Sequence, residues 1–421
     1  DAHTAIPRLD GETSAHLDFL LAAALRRLEQ GRTPRVALAA DPPRLSPAEA
    51  MEDYQRQGLV APIGADVFSR VAAVLRDYGY QVEPVNPREP VLADRPDVLL
   101  WLQPRRDASR MTHLLSRYLA SGGKGIVALQ HYNIQQRQYR GAGFETVYWP
   151  QPQFQDLDPY LRLFGVEQAR EVLMDRTRSH LDLETQVNRG AVREYDPQQV
   201  ALPFLIRAVP EGYAADAPIT RNLGDLLFVW GNRFLVDPAR LASAGLHSQV
   251  LVSTSSQAWA YPWQGGWLPS SAFRPDRFLP GPQPLVLLLQ GPFPRTPVPP
   301  DLAPSPGADA PPGQGPTPEG TLLLIGCSEM FRDEYLQTAG FAHDQLLLNA
   351  VASLTLGPEL AELQGRHRTA RGFSFRSSAE KLAWRTICVW AGPLAFLLVG
   401  LGRWRTWRRG PRTAMAGNRS R

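Results

Sequence analysis

DVLLWLQP (Asp97–Pro104), RMTHLLSRYLASGG (Arg110–Gly123) and GIVALQH (Gly125–His131) follow one another closely, and their succession decides the fold. The first and third are short, almost continuously apolar runs, which suits strands covered on both faces. The middle one places Met111, Leu115, Tyr118 and Leu119 at helical intervals and stops at two glycines. A strand, a helix and a strand at this spacing form a crossover unit with parallel strands.

The pattern extends upstream. AHLDFLLAAALRRLEQ (15–30) is predicted as a helix closed by Gly31, RVALAAD (35–41) as a buried strand, and VFSRVAAVLRDYG (67–79) as an amphipathic helix capped by glycine. YQVEPVN (80–86) is the next strand, and 42–65 is a connecting loop. Downstream the signal weakens from Tyr132 to Val200. QHYNIQQRQYRGAGFETVYWPQPQ is polar and aromatic and is expected as an exposed excursion; PYLRLFGVEQA is expected as a helix with a glycine stop and VLMDRTR as a short strand. PFLIRAV, DLLFVWGNRFLV, SQVLVSTSS and PLVLLLQGPFP are expected as further strands of the same sheet, followed by the strand and turn TLLLIGCSEMFRD and the helix DQLLLNAVASLTLG.

The expected class is α/β: a doubly wound, mainly parallel sheet, flavodoxin-like or class I amidotransferase-like, plus one C-terminal transmembrane helix. Residues 1–200 form its first part and 201–365 its continuation, with a proline-rich inserted loop at 291–320 that is too poor in apolar residues to bury a core.

TICVWAGPLAFLLVGLG (386–402) has no charged residue and runs into arginine. From Trp384 to Trp404 a helix covers ~30 Å, the hydrocarbon thickness of a bilayer, with tryptophan at both interfaces. A basic stalk (366–385) precedes the span and a basic tail (403–421) follows it. The tail carries seven arginines and no acid; within ten residues of the span it holds five basic residues against three on the other flank. That bias places the tail in the cytoplasm and the body outside, in the periplasm of a bacterial inner membrane, single-pass at the C-terminus. An external body starting at Asp1 implies a removed export signal or a longer parent chain.

The net charge of +4 belongs to the tail; without its seven arginines the chain carries −3, so no nucleic-acid partner is indicated. Cys327 and Cys388 are the two cysteines, the second inside the apolar stretch, and no metal-ligand spacing or cofactor motif occurs. No phosphate-binding G-x-x-x-x-G-K-[ST] loop and no G-x-S-x-G elbow is present. In open α/β sheets ligands sit at the carboxyl ends of the strands. The residues there are Asp41, Gln103, Gln130 and His131, with Tyr132 next to the last. A nucleophilic mechanism would need a cysteine after a strand with a histidine to activate it. Cys327 follows a strand and His343 is the histidine nearest in sequence, but a buried, inert cysteine is the ordinary case. YPWQGGWLPSSAF (Tyr261–Phe273) can stack on a sugar or peptide or pack against the sheet; the residues leave both open. The reading assigns no catalytic, ligand-binding or metal-binding residue.

ITRNLGDLLFVWGNRFLVD, LVSTSSQAW, LLLQGPFP, LLLIGCSEMFRD, DQLLLNAVASL and the closing apolar stretch occur in an order that resembles GldG-like proteins, over residues 15 to 405. The resemblance implies a non-enzymatic, membrane-anchored extracytoplasmic subunit of an ABC-type transport system, of amidotransferase-like fold, beside a permease and an ATPase. It also implies a further helix and domain upstream, and an acidic residue in the turn where this chain has Cys327. A tethered hydrolase or amidotransferase, or a solute-binding sensor, is the alternative.

Overall fold

The computed structural model describes residues 17–40, 67–298 and 318–357, apart from 93, 106–107, 141–143, 154 and 190–191, together with Trp390. The chain divides into two compact units, Asp1–Arg368 and Thr369–Arg421. Of the second, only Trp390 is among the described residues.

The first unit is built on a seven-stranded sheet. Its parallel part comprises β1 (Arg35–Ala40), β2 (Gln81–Val85), β3 (Val98–Leu102), β4 (Lys124–Ala128) and β16 (Gly320–Ile325). Their spatial order is β2-β1-β3-β4-β16. At the β16 edge the sheet continues through β15 (Pro284–Gly291) and β13 (His247–Ser253), both pairs antiparallel. Five adjacent strands are therefore parallel, β15 runs against them, and β13 reverses again to run with them. The order turns back between β1 and β3, which makes a topological switch point there.

Alternating strand residues enter two cores. Val36, Leu38, Leu100, Leu102, Ile126, Leu323 and Ile325 face α1 (Leu17–Gln30), α2 (Ser69–Asp77) and α6 (His343–Thr355). Ala37, Leu99, Trp101, Val127, Leu322 and Leu324 face α3 (Ser109–Ala120), α4 (Asp158–Leu163) and α5 (Pro238–Ser243). The sheet is covered on both sides, which is why β3 is buried at all five positions. Tyr80 leads into β2 directly after Gly79, whose φ of +80° reverses the chain at the end of α2.

The structure corrects four expectations. The segment after His131 is a regular hairpin, β5 (Tyr132–Arg140) with β6 (Phe144–Pro152), and a second, longer hairpin pairs β9 (Arg178–Arg189) with β10 (Val192–Ala208). Their glutamines, arginines and glutamates mask the strand signal. PFLIRAV and DLLFV do not join the main sheet: they lie in β10 and β11 (Leu226–Val229), which form a three-stranded antiparallel sheet with β9. FLV of β12 (Phe234–Val236) pairs with β7 (Val166–Gln168): the helix in PYLRLFGVEQA ends at Leu163, just before its glycine stop at Gly165 (φ +80°), and the residues after the glycine are a strand. Apolar periodicity marks strands without naming their partners. β8 (Val172–Asp175) pairs with β14 (Ala258–Tyr261). The ends of the proline-rich segment, Gly291 and Gly320, are paired rungs of β15 and β16 rather than loop; 299–317 lies outside the described residues.

No described helix is long and apolar enough to cross a membrane. The stretch 386–402 lies, but for Trp390, outside the described residues, as do the stalk and tail.

Candidate functional site at the carboxyl edge of the sheet

β4 is the central strand of the seven-stranded sheet, and the two residues beyond Leu129 are Gln130 and His131. Gln130 is 1% exposed. Its Oε1 accepts the backbone N–H groups of Ser328 (2.9 Å) and Glu329 (3.1 Å), just past β16. Its Nε2 donates to the carbonyl of Tyr132 and to Asn133 Oδ1. Asn133 in turn donates to Glu329 Oε1 at 2.8 Å, and Arg332 donates to Glu329 Oε2 at 2.8 Å. Glu329 is fully buried, so its charge is matched at both oxygens. The acid of this turn is thus Glu329, two residues after Cys327.

His131 belongs to an adjoining cluster. Its N–H donates to Asn232 Oδ1 at 2.9 Å, and Asn232 Nδ2 donates to the carbonyl of Glu171 at 2.9 Å. His131 Nε2 lies 3.0 Å from the carbonyl oxygen of Gln168 and 3.6 Å from Asp158. Burial pulls its pKa below the ordinary histidine value, against the opposing pull of Asp158. Asp158 is 1% exposed and also accepts from Gln155 (2.5 Å) and Arg170 (2.9 Å). Gln168 Nε2 closes the cluster on the carbonyl of Leu129 at 2.7 Å. These bonds lock the β5–β6 hairpin, the 153–158 segment and the β11–β12 turn over the strand ends. Gly326 is required there, because a Cβ would fall 2.0 Å from the carbonyl oxygen of Asn232.

Cys327 and His343 do not form a catalytic pair. The Cys327 thiol is fully buried and donates to the carbonyl of Val229 at 3.3 Å. Burial pushes its pKa up to about 12, which leaves no thiolate at neutral pH. His343 Nε2 accepts the N–H of Leu227 at 2.9 Å, so its proton sits on Nδ1, which donates to the carbonyl of Tyr335 at 2.7 Å. Both side chains fasten β11, one at each end. Burial lowers the His343 pKa, consistent with a neutral ring.

Gln103, at the switch point, has φ +52° and is 1% exposed, while its N–H continues the ladder to Ala128 at 2.8 Å. Asp41 lies outside the described residues. In the Tyr261–Phe273 segment the residues from Leu268 onward pack against the body, while 264–267 are exposed. Trp259 Nε1, just before it, donates to the carbonyl of Ala272; Leu268 N–H binds the carbonyl of Tyr148; Phe273 meets the Tyr148 ring edge-on at 5.7 Å. Trp267 is 53% exposed. Tyr132, Glu171, Trp230 and Asn232 line a narrow crevice without room for a water molecule. No described group of three or more His, Cys, Asp and Glu is placed to hold a metal ion.

Asp158, Asn232 and Glu329 carry the edge together with the expected Gln130 and His131, and no motif announces them. A family model described as an ABC-type uncharacterized transport system matches residues 34–352. The chain belongs to this family. It is accordingly an auxiliary component of an ABC-type transport system, which implies association with other transporter components. The family's region runs from the start of β1 into α6 and leaves α1 outside. No curated protein matches the chain. Among solved structures, a ThuA-like protein from Bacteroides uniformis is 10% identical, with 76% of this chain and 92% of that chain covered and a TM-score of 0.33. A likeness of that size carries no argument here.

Proposed function

We propose that this chain is a non-enzymatic scaffold subunit of GldG type, anchored by residues 386–402 on the outer side of a bacterial inner membrane beside a permease and an ATPase. Membership of the auxiliary transport family supports the setting. One observation supports the non-enzymatic part: among the described residues, the β4–β16 end of the edge where an α/β enzyme holds its substrate is filled by the chain's own side chains. Gln130, His131, Asp158, Asn232 and Glu329 are bonded to protein there, and the nearby thiol is a buried donor. Hydrolysis of nucleotide falls to another polypeptide, since the sequence has no phosphate-binding loop.

The test is affinity purification of the full chain from detergent-solubilised membranes. An ATPase with a phosphate-binding loop and a multi-span permease should copurify in fixed ratio and lose the chain when 386–421 is deleted. Recovery of the chain alone from intact membranes, or from the soluble fraction without detergent, contradicts the proposal.

A further inference from the structure

The seven-stranded sheet ends laterally on β2 and on β13, and the two outermost strands are built differently. An outermost strand offers unpaired backbone N–H and C=O groups to any extended chain, and proline or charge ordinarily blunts it. β2 has both: Pro84 lacks an N–H, and Glu83 pairs with Arg35. β13, HSQVLVS, has no proline, lysine, arginine or carboxylate.

The pairing shows which backbone groups of β13 point outward. Gly326 N–H donates to the carbonyl of Leu285 at 2.8 Å. Bonds alternate along an antiparallel ladder, so odd-numbered residues of β15 turn toward β16 and even-numbered ones toward β13. Leu288 and Gln290 therefore exchange bonds with Gln249 and His247, their partners in register. The N–H and C=O groups of Ser248 and Val250 are left pointing away from the sheet. Farther along, the side is closed: the carbonyl of Leu251 accepts the N–H of Ala214 at 2.9 Å, and Tyr213 bridges to Val252. At Ser248 and Val250 no bond closes it among the described residues. Both are exposed, Val250 by 38%. Val250 pairs with Leu287 and so stands on the face of the second core.

Donors and acceptors repeating at the spacing of a strand are met by another extended backbone. The open stretch of four residues spans ~13 Å and covers far less than the ~800 Å² per partner of a self-standing interface. A freely diffusing second copy therefore gains too little, and the register that uses all four groups on each copy sets Val250 against Ser248. A component already held beside this chain adds a strand at little further cost of association. Membership of the auxiliary transport family implies such components.

We propose that an extended segment of a partner transporter component adds to the sheet along His247–Val250, bonding to the backbone of Ser248 and Val250 and setting an apolar side chain against Val250. This rests on the association implied by the family, not on the membrane anchor or on the absence of catalysis.

The test uses the full chain expressed with its transporter components. With p-benzoylphenylalanine in place of Val250, illumination of intact membranes should cross-link the chain to a component that copurifies with it. The same probe in place of Gln81, exposed on β2, should not. Ser248→Pro removes an outward N–H and no bond to β15, so it should keep the unfolding midpoint and cut the cross-link from position 250 about tenfold. Ser248→Ala, which keeps that N–H, should leave the cross-link unchanged. A cross-linked dimer of this chain would assign the strand to a second copy and overturn the proposal. Copurification without a cross-link from position 250, or with one equally strong from position 81, would overturn it while leaving the association standing, whatever Ser248→Pro does to folding. Recovery of the chain alone would remove the association and the added strand together.

Discussion

Gln130 Oε1 accepts the backbone N–H of Ser328 at 2.9 Å, tying the end of β4 to the turn after β16 across 198 positions of sequence. The same oxygen takes the N–H of Glu329. Gln130→Leu keeps the volume but leaves two buried donors without an acceptor, at about 1–3 kcal/mol each. Urea unfolding should show a loss of about 2–4 kcal/mol with an unchanged slope. A loss under about 0.5 kcal/mol, the range of an ordinary surface change, would mean that the bond does not hold the edge.

Glu329 and Arg332 form an uneven pair, the carboxylate fully buried and the guanidinium side chain about a quarter exposed. Arg332→Leu strands a buried charge and should cost about 3–5 kcal/mol. Glu329→Gln keeps an acceptor for Asn133 and leaves a partly solvated arginine, so it should cost less. Denaturation midpoints of the two variants check the order; the reverse order would mean that Arg332, not Glu329, is the costly member to leave alone.

Cys327 should be chemically silent. With its thiol pushed up to about 12 by burial, a Cys388→Ser chain should release no colour with a disulfide reagent at pH 8 until denaturant is added. Cys327→Ala should lower stability modestly and change nothing else. Rapid labelling of the native chain would reopen a thiol mechanism.

Acid should weaken the fold through histidine. His343 and His131 both have pKa values lowered by burial, so between those values and about 6.5 the unfolded chain binds more protons than the folded one. Stability should therefore be level above about pH 6.5 and fall as pH drops below it. His343→Asn should flatten part of that fall, because the ring that accepts Leu227 N–H is gone. An identical pH profile in the variant would remove His343 from the cause.

The crossovers were legible because β3 and β4 are central strands, and burial on both faces leaves an unbroken apolar run such as VLLWL. The glycine stops were legible because only glycine takes φ +80° without strain, as at Gly79. The β5–β6 and β9–β10 hairpins were not, since NIQQRQYR and LDLETQVN carry too little apolar alternation to read as strands. Nor was the assignment of β10 and β11 to a separate sheet, which rests on pairing and not on composition. At the strand ends Gln130 and His131 could be named from their position after β4. Their partners could not: Asn232 lies 101 residues from His131 and Glu329 lies 196 from Asn133. The inertness of Cys327 likewise depends on Val229, 98 residues away.

The most direct measurement is ATP-driven uptake in proteoliposomes containing the transporter subunits that copurify with this chain, compared with the chain absent, intact, or carrying Cys327→Ala. Uptake should require the intact chain and stay within about twofold for Cys327→Ala, a factor worth only about 0.4 kcal/mol. Uptake indifferent to the chain's presence, or abolished by Cys327→Ala in a chain that remains folded, would contradict a catalytically silent auxiliary subunit.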